Sequence, residues 1–181
     1  MPARQGTIRI LGVDPGLRHT GWGIVDATDN RLQFVAEGVI DPDPTLALSE
    51  RLRLLFEGVR DLIGVYNPVE CAIEETFVNQ NPVSTLKLGH ARAAGMLAAA
   101  MAGLPVAEYK PNLVKKSVVG AGHADKTQIS AMVRILLPGA CGAKADAADA
   151  LAVAITHAHL RVTALRQAAA VVTPKRKVVR T

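Results

Sequence analysis

Four acidic positions stand where solvation alone does not account for a carboxylate. Asp14 closes the apolar run Ile8-Arg9-Ile10-Leu11-Gly12-Val13 just ahead of Pro15-Gly16. Its side chain therefore projects from a strand end beside a tight turn, where backbone can approach a phosphate; the plainer reading is a turn-forming aspartate. Glu74 and Glu75 follow the short apolar run Cys71-Ala72-Ile73, and burying a carboxylate costs several kcal/mol, roughly, unless something pairs with it. Neighbours on a strand point to opposite faces, so alternation does not choose between these two glutamates. Asp146 and Asp149 lie three apart in Lys144-Ala-Asp-Ala-Ala-Asp-Ala-Leu-Ala-Val153, which puts both on one side of a helix near its start. The helix dipole favours acids there and accounts for at least one of them. It explains less well why Asp149 shares its face with the packing residues Ala150 and Val153.

Carboxylates gathered from two strand ends and a helix start raise one another's pKa, and divalent cations relieve that conflict. Hard oxygen donors with no cysteine or histidine cluster point to magnesium or manganese rather than zinc. Two such ions about 3.5 to 4 Å apart can activate a water, hold a scissile phosphate and stabilise the departing oxygen.

The rest of the chain must position these groups. With 181 residues and 49% hydrophobic composition, one core and one domain are expected, over residues 7–165, with 166–181 as a basic, mobile tail. A net charge of +5 and a pI of about 9.5 favour an anionic partner such as nucleic acid, although charge alone is weak evidence. Cys71 and Cys141 lack zinc or disulfide spacing, which fits a reducing cytoplasm. No leader peptide is evident, and Met96 to Leu104 is too short to cross a bilayer.

Strand signals cover Ile8 to Asp14, Gly21 to Val25 and Asn30 to Ile40, an opening antiparallel meander. Leu48, Leu52, Leu55, Phe56, Val59, Leu62 and Ile63 recur at helical spacing within Thr45 to Val65. A strand over Cys71 to Glu74 follows, then a helix from Pro82 to Met101 capped by Asn81, whose Gly89, Ala93 and Ala94 offer a surface for close backbone approach. A strand at Pro105 to Tyr109 precedes helices over Pro111 to Val118, Lys126 to Leu137 and Ala145 to about Arg166. His123 and His157 are read as ordinary packed or solvated histidines, His157 lying more than two turns beyond the acid pair.

Four segments, Leu11-Gly-Val-Asp-Pro-Gly-Leu-Arg-His-Thr-Gly-Trp-Gly23, Ala72-Ile-Glu-Glu-Thr-Phe77, Ser117-Val-Val-Gly-Ala-Gly122 and Ala145-Asp-Ala-Ala-Asp-Ala-Leu-Ala152, stand in one order and spacing. In that combination the chain resembles the RuvC-type Holliday junction resolvases over about Ile8 to Leu160. The resemblance implies an α/β, ribonuclease H-like mixed sheet, an antiparallel meander followed by parallel strands, flanked by helices. It selects Glu74 over Glu75 and makes Asp14, Glu74, Asp146 and Asp149 the catalytic metal ligands, with two magnesium ions per site and manganese as a substitute. A homodimer making paired nicks at a four-way DNA junction, which leave 5'-phosphate and 3'-hydroxyl ends, is implied, as are the branch-migration partners RuvA and RuvB.

The same resemblance places Phe77, Asn81, Lys115 and Lys126 on the DNA, Phe77 by stacking on a base. Phe77 stands beside the polar stretch Asn79-Gln80-Asn81 in a chain with only 3% aromatic residues, so stacking competes evenly with a core role. Solvated surface lysines are the plain alternative for Lys115 and Lys126. Rival readings are a YqgF-type ribonuclease H-like nuclease of RNA processing, an actin-like phosphotransferase suggested by Gly12-Val-Asp-Pro-Gly16, and a non-catalytic module that binds branched DNA.

Overall fold

The computed structural model describes residues 6–76, 81–140 and 145–172, with 162–172 as backbone only. Strands β1 (Ile8–Asp14), β2 (Thr20–Thr28) and β3 (Arg31–Ile40) form the meander, closed at its second turn by Asp29 in the left-handed region. Helix α1 (Leu48–Tyr66) follows and ends on left-handed Asn67, whose N–H bonds to the carbonyl of Ile63. Strand β4 (Glu70–Glu74) then pairs parallel with β1, and after helix α2 (Pro82–Met101) strand β5 (Val106–Tyr109) pairs parallel with β4. The five strands lie in the order β3-β2-β1-β4-β5, and helices α3 (Pro111–Val119), α4 (Lys126–Leu136) and α5 (Ala145–Val172) complete the fold. The mixed sheet flanked by helices is as expected, with element ends displaced by a few residues. The largest extension is α5, whose backbone stays helical to Val172; the rest of the expected basic tail lies outside the described residues. Among the described residues no helix is long and apolar enough to cross a membrane.

Period-two alternation sorts the sheet into two faces. Leu11, Val13, Ile24, Cys71 and Ile73 pack with Val59 of α1 and Ala98 and Ala99 of α2. Ile10, Val25 and Ala72 point the other way, into a core closed by α3, α4 and α5. Helix α5 is buried all round: Ala147, Ala148, Ala150, Leu151, Ala152, Val153, Ala154 and Ile155 are each no more than 2% exposed. A helix apolar on every side belongs inside a core, and this one is enclosed by the sheet, α3 and α4.

The helix lies so low on the sheet because the strands beneath it are glycine. A Cβ added at Gly12 would overlap the carbonyl oxygen of Ala150, one at Gly21 the carbonyl oxygen of Asp146, and one at Gly23 the side chain of Leu151. Within the chain, close backbone approach occurs between α5 and the first two strands, whereas at Gly89 of α2 a Cβ would meet nothing within 4 Å.

Gly21→Ala is expected to lower unfolding free energy by about 1–3 kcal/mol through overpacking. Gly64→Ala, on an open stretch of α1 where a Cβ meets nothing within 4 Å, is expected to raise it by roughly 0.5–1 kcal/mol. Urea denaturation of both variants checks the pair; equal effects would mean that helix contact does not set the tolerance at residue 21.

Candidate active site

Register brings the first two carboxylates together. Gly12 is the parallel partner of Ala72, and two residues further along each strand, on the same face, stand Asp14 and Glu74. Glu75 has the parity of Cys71 and Ile73 and belongs to the opposite face. Asp14 is also the cross-strand partner of Gly21, the residue on which the carbonyl of Asp146 rests. The first turn of α5 is therefore held against the end of β1, and Asp149 follows one turn later.

Carboxylate oxygens of Asp14, Asp146 and Asp149 lie within 4.8 Å of one another. Glu74 stands outside that trio but shares a hydrogen bond with Asp14. Two neighbouring carboxyls can share such a bond only when one keeps its proton. Burial, then the charge and hydrogen bond of Asp14, then Asp149, push the Glu74 carboxyl up to about 8, with Lys115 opposing. Burial and next the charge of Asp149 push Asp14 up to about 6, Asp146 adding to the rise while the hydrogen bond with Glu74 and the charge of Lys126 oppose it. The acids hold protons because their charges face one another away from water.

One cation is already placed against them. Asp125 caps α4 in a reciprocal capping box with Gln128, which sets Lys126 at the first helical position. The Lys126 ammonium lies 3.0 Å from Asp149 Oδ2, and that pairing raises its pKa. Sequence reasoning missed this box, although its signal, a D-x-x-Q pattern ahead of an apolar-periodic run, stands in the chain. Lys115 acts at longer range, through its charge on Glu74. Asn81 caps α2 as expected, its side chain accepting from the N–H groups of Val83 and Ser84. Phe77 lies outside the described residues.

His123 is exposed. His157 is 7% exposed, and its two ring nitrogens bond the hydroxyl of Tyr109 and the carboxylate of Glu70, which also takes the Arg161 guanidinium. Those bonds tie α5 to β4 and β5. Hard oxygen donors, with no histidine or thiol among them, suit a hard divalent cation, and the suppressed ionisation of Asp14 and Glu74 is what such an ion would release.

The sequence pattern described as crossover junction endodeoxyribonuclease RuvC matches residues 10–157. This chain belongs to the RuvC family. A crossover junction endodeoxyribonuclease RuvC of Paramagnetospirillum magneticum is 60% identical over 164 residues, 91% of this chain and 99% of its own. Another RuvC, from Rhodopseudomonas palustris, is 58% identical over 91% of this chain and 95% of its own. Among solved structures, Thermus thermophilus RuvC in complex with a Holliday junction substrate superposes with a TM-score of 0.79 at 32% identity, covering 86% of this chain and 96% of that one. The ribonuclease H-like sheet of the family and the mixed sheet seen here are the same arrangement.

Without metal, the folded protein holds protons on Asp14 and Glu74 that the unfolded chain releases near its ordinary carboxylate range, so these two groups remove stability as pH rises from about 4 to about 8. Glu74→Gln lacks one of these ionisations. Its stability relative to the parent protein in chelator is expected to grow between about pH 5 and pH 8, and magnesium is expected to narrow the gap. Thermal melts at several pH values test this; a gap independent of pH would show that Glu74 does not carry the strain.

Proposed function

We propose that this RuvC-family protein resolves four-way DNA junctions by paired, metal-dependent hydrolysis of phosphodiester bonds, leaving 5'-phosphate and 3'-hydroxyl nicks. The observation that carries the reading is the convergence of the Asp14, Asp146 and Asp149 oxygens within 4.8 Å in a chain of this family. Asp14, Glu74, Asp146 and Asp149 are the catalytic acids in this reading, and they would hold magnesium, two ions per site, with manganese as a substitute. Bound ions would supply Lewis acidity and a nucleophilic water.

The chain's own groups do the rest. Buried carboxylates on a rigid sheet end and helix start keep the oxygen donors in place before substrate arrives. Lys126 balances charge at Asp149 while the site is open, and Lys115 stands on the Glu74 side; in this reading both contact phosphates of the bound strand. Phe77 stacks on a base near the junction centre, and Asn81, besides capping α2, contacts the strand there. In this reading residues 7–165 form the nuclease domain and 166–181 a basic tail whose first part continues α5 to Val172, in a cytoplasmic enzyme that works with RuvA and RuvB.

Two strands of a junction must be cut at related positions, which suits a two-fold dimer. Helix α2 supports that arrangement: Leu86, Leu97 and Met101 are 65, 54 and 71% exposed and, with exposed Ala93, share one face of the helix. A second copy of the chain covers this face in the proposed assembly.

Asp14→Asn, Glu74→Gln, Asp146→Asn and Asp149→Asn are each expected to keep junction binding and to lower cleavage by orders of magnitude. Cleavage of a synthetic four-way junction beside linear duplex and RNA checks both site and substrate; a preference for RNA would favour a YqgF-type role, and full cutting by any two variants would remove those acids from the site. Leu97→Glu is expected to convert the dimer to monomer in sedimentation velocity, and a dimer that survives it would place the interface elsewhere.

A further inference from the structure

A hollow of about 460 Å³ opens beside the acids, and its walls are cationic. Arg18 and His19 come from the β1–β2 turn, Arg51 from α1, Ser84 and Lys87 from the first turns of α2, and Asp146 forms the edge shared with the acid cluster. None of the lining comes from α3 or α4, which carry Lys115 and Lys126, so this is a separate wall of the site.

The walls are rigid where it matters. Thr20 donates its hydroxyl to the Gly16 carbonyl and accepts the Gly16 N–H, closing the turn immediately after Asp14. The Arg51 guanidinium donates to the Leu17 carbonyl at 2.8 Å and so ties α1 to that turn. Its Nε is buried with no hydrogen-bond partner among the described residues. Arg18 and Lys87 are exposed and have no carboxylate partner among the described residues. Two acids temper the charge nearby. His19 is paired with Asp41 at 2.7 Å, and Asp43 feels the Arg51 charge while its carboxylate is engaged by the N–H and hydroxyl of Thr45.

Cations from three elements converging on one concavity repel each other unless an anion fills it, and low-dielectric walls focus their potential. A DNA strand meets the reverse problem at the acids, which repel it. Because Asp146 borders both places, one strand can span them.

We propose that this hollow is a phosphate subsite: Arg18, Arg51 and Lys87 hold a backbone phosphate of the cleaved strand close to the scissile linkage. The inference rests on the acids being the hydrolytic site. It assigns the hollow a phosphodiester as ligand and gives the strand a direction, from the α3 and α4 lysines across the acids to the β1–β2 turn.

The test uses the full-length protein and a synthetic four-way junction in chelator, so binding is read apart from cleavage. Arg18→Gln with Lys87→Gln is expected to weaken binding about 10- to 100-fold at moderate salt. The slope of log affinity against log salt should fall by about one for each phosphate that the variant no longer neutralises. The charge-keeping pair Arg18→Lys with Lys87→Arg is expected to retain most of the affinity, and both double variants should melt near the parent temperature because the two side chains are exposed. In the parent protein, one methylphosphonate within three linkages of the scissile bond should weaken binding, and the same change should cost the Gln double variant nothing further. Unchanged affinity and salt slope, an equal fall in affinity for the charge-keeping pair, or additive effects at every linkage would overturn the subsite. Parent protein that binds the junction but leaves it uncut with magnesium would instead overturn the hydrolytic reading, while the binding arms still decide the hollow.

Discussion

Everything at the acidic site depends on how closely one helix backbone can lie on a sheet. The start of α5 reaches the end of β1 only because Gly12, Gly21 and Gly23 present bare backbone beneath Asp146, Ala150 and Leu151. A side chain at residue 21 would lift the helix by the thickness of a methyl group and carry two carboxylates away from Asp14. The alanines along α5 serve the same end, since a small side chain buried on every face lets sheet, α3 and α4 all close on the helix at once. Packing and chemistry are thus one problem: the contact that stabilises the core also sets the spacing of the oxygen donors.

That spacing works against the fold. Glu74 and Asp14 are pushed up to about 8 and about 6, first by burial and then by the neighbouring negative charges. Such a site keeps protons where a cation could bind, and two strand ends and a helix start hold the carboxylates together. The network of Tyr109, His157, Glu70 and Arg161 ties α5 to β4 and β5 further along, so the helix is fixed both at the glycines and two to four turns beyond. Strain of this kind is expected at a functional site and unusual elsewhere.

Charge is arranged around the acids with similar economy. Lys126 is fixed by the Asp125–Gln128 box and pairs with Asp149, whereas the cations of the β1–β2 turn, α1 and α2 stand on a different wall, where Arg18 and Lys87 have no carboxylate partner among the described residues. An acidic centre flanked by basic walls suits a polyanion that must be drawn onto like charge. The net +5 of the whole chain hints at such a partner but says nothing of where the charges gather.

Much of this was legible in the sequence. Period-two and helical spacing located every strand and helix to within a few residues, apart from the longer α5, and Asn81 could be read as a cap because an asparagine before proline at a helix start satisfies free N–H groups. The acids themselves were visible as carboxylates at the edges of apolar runs. What local pattern could not decide was which of Glu74 and Glu75 faces them, since alternation fixes only that they differ; the parallel register of Gly12 with Ala72 resolves it. Nor could it show that Gly21 and Asp146, 125 positions apart, would touch, or that Arg18, Arg51 and Lys87 would share one hollow. Sequence spacing governs neighbours along one element, whereas contacts between elements follow from how whole faces pack, and only the folded chain carries that information.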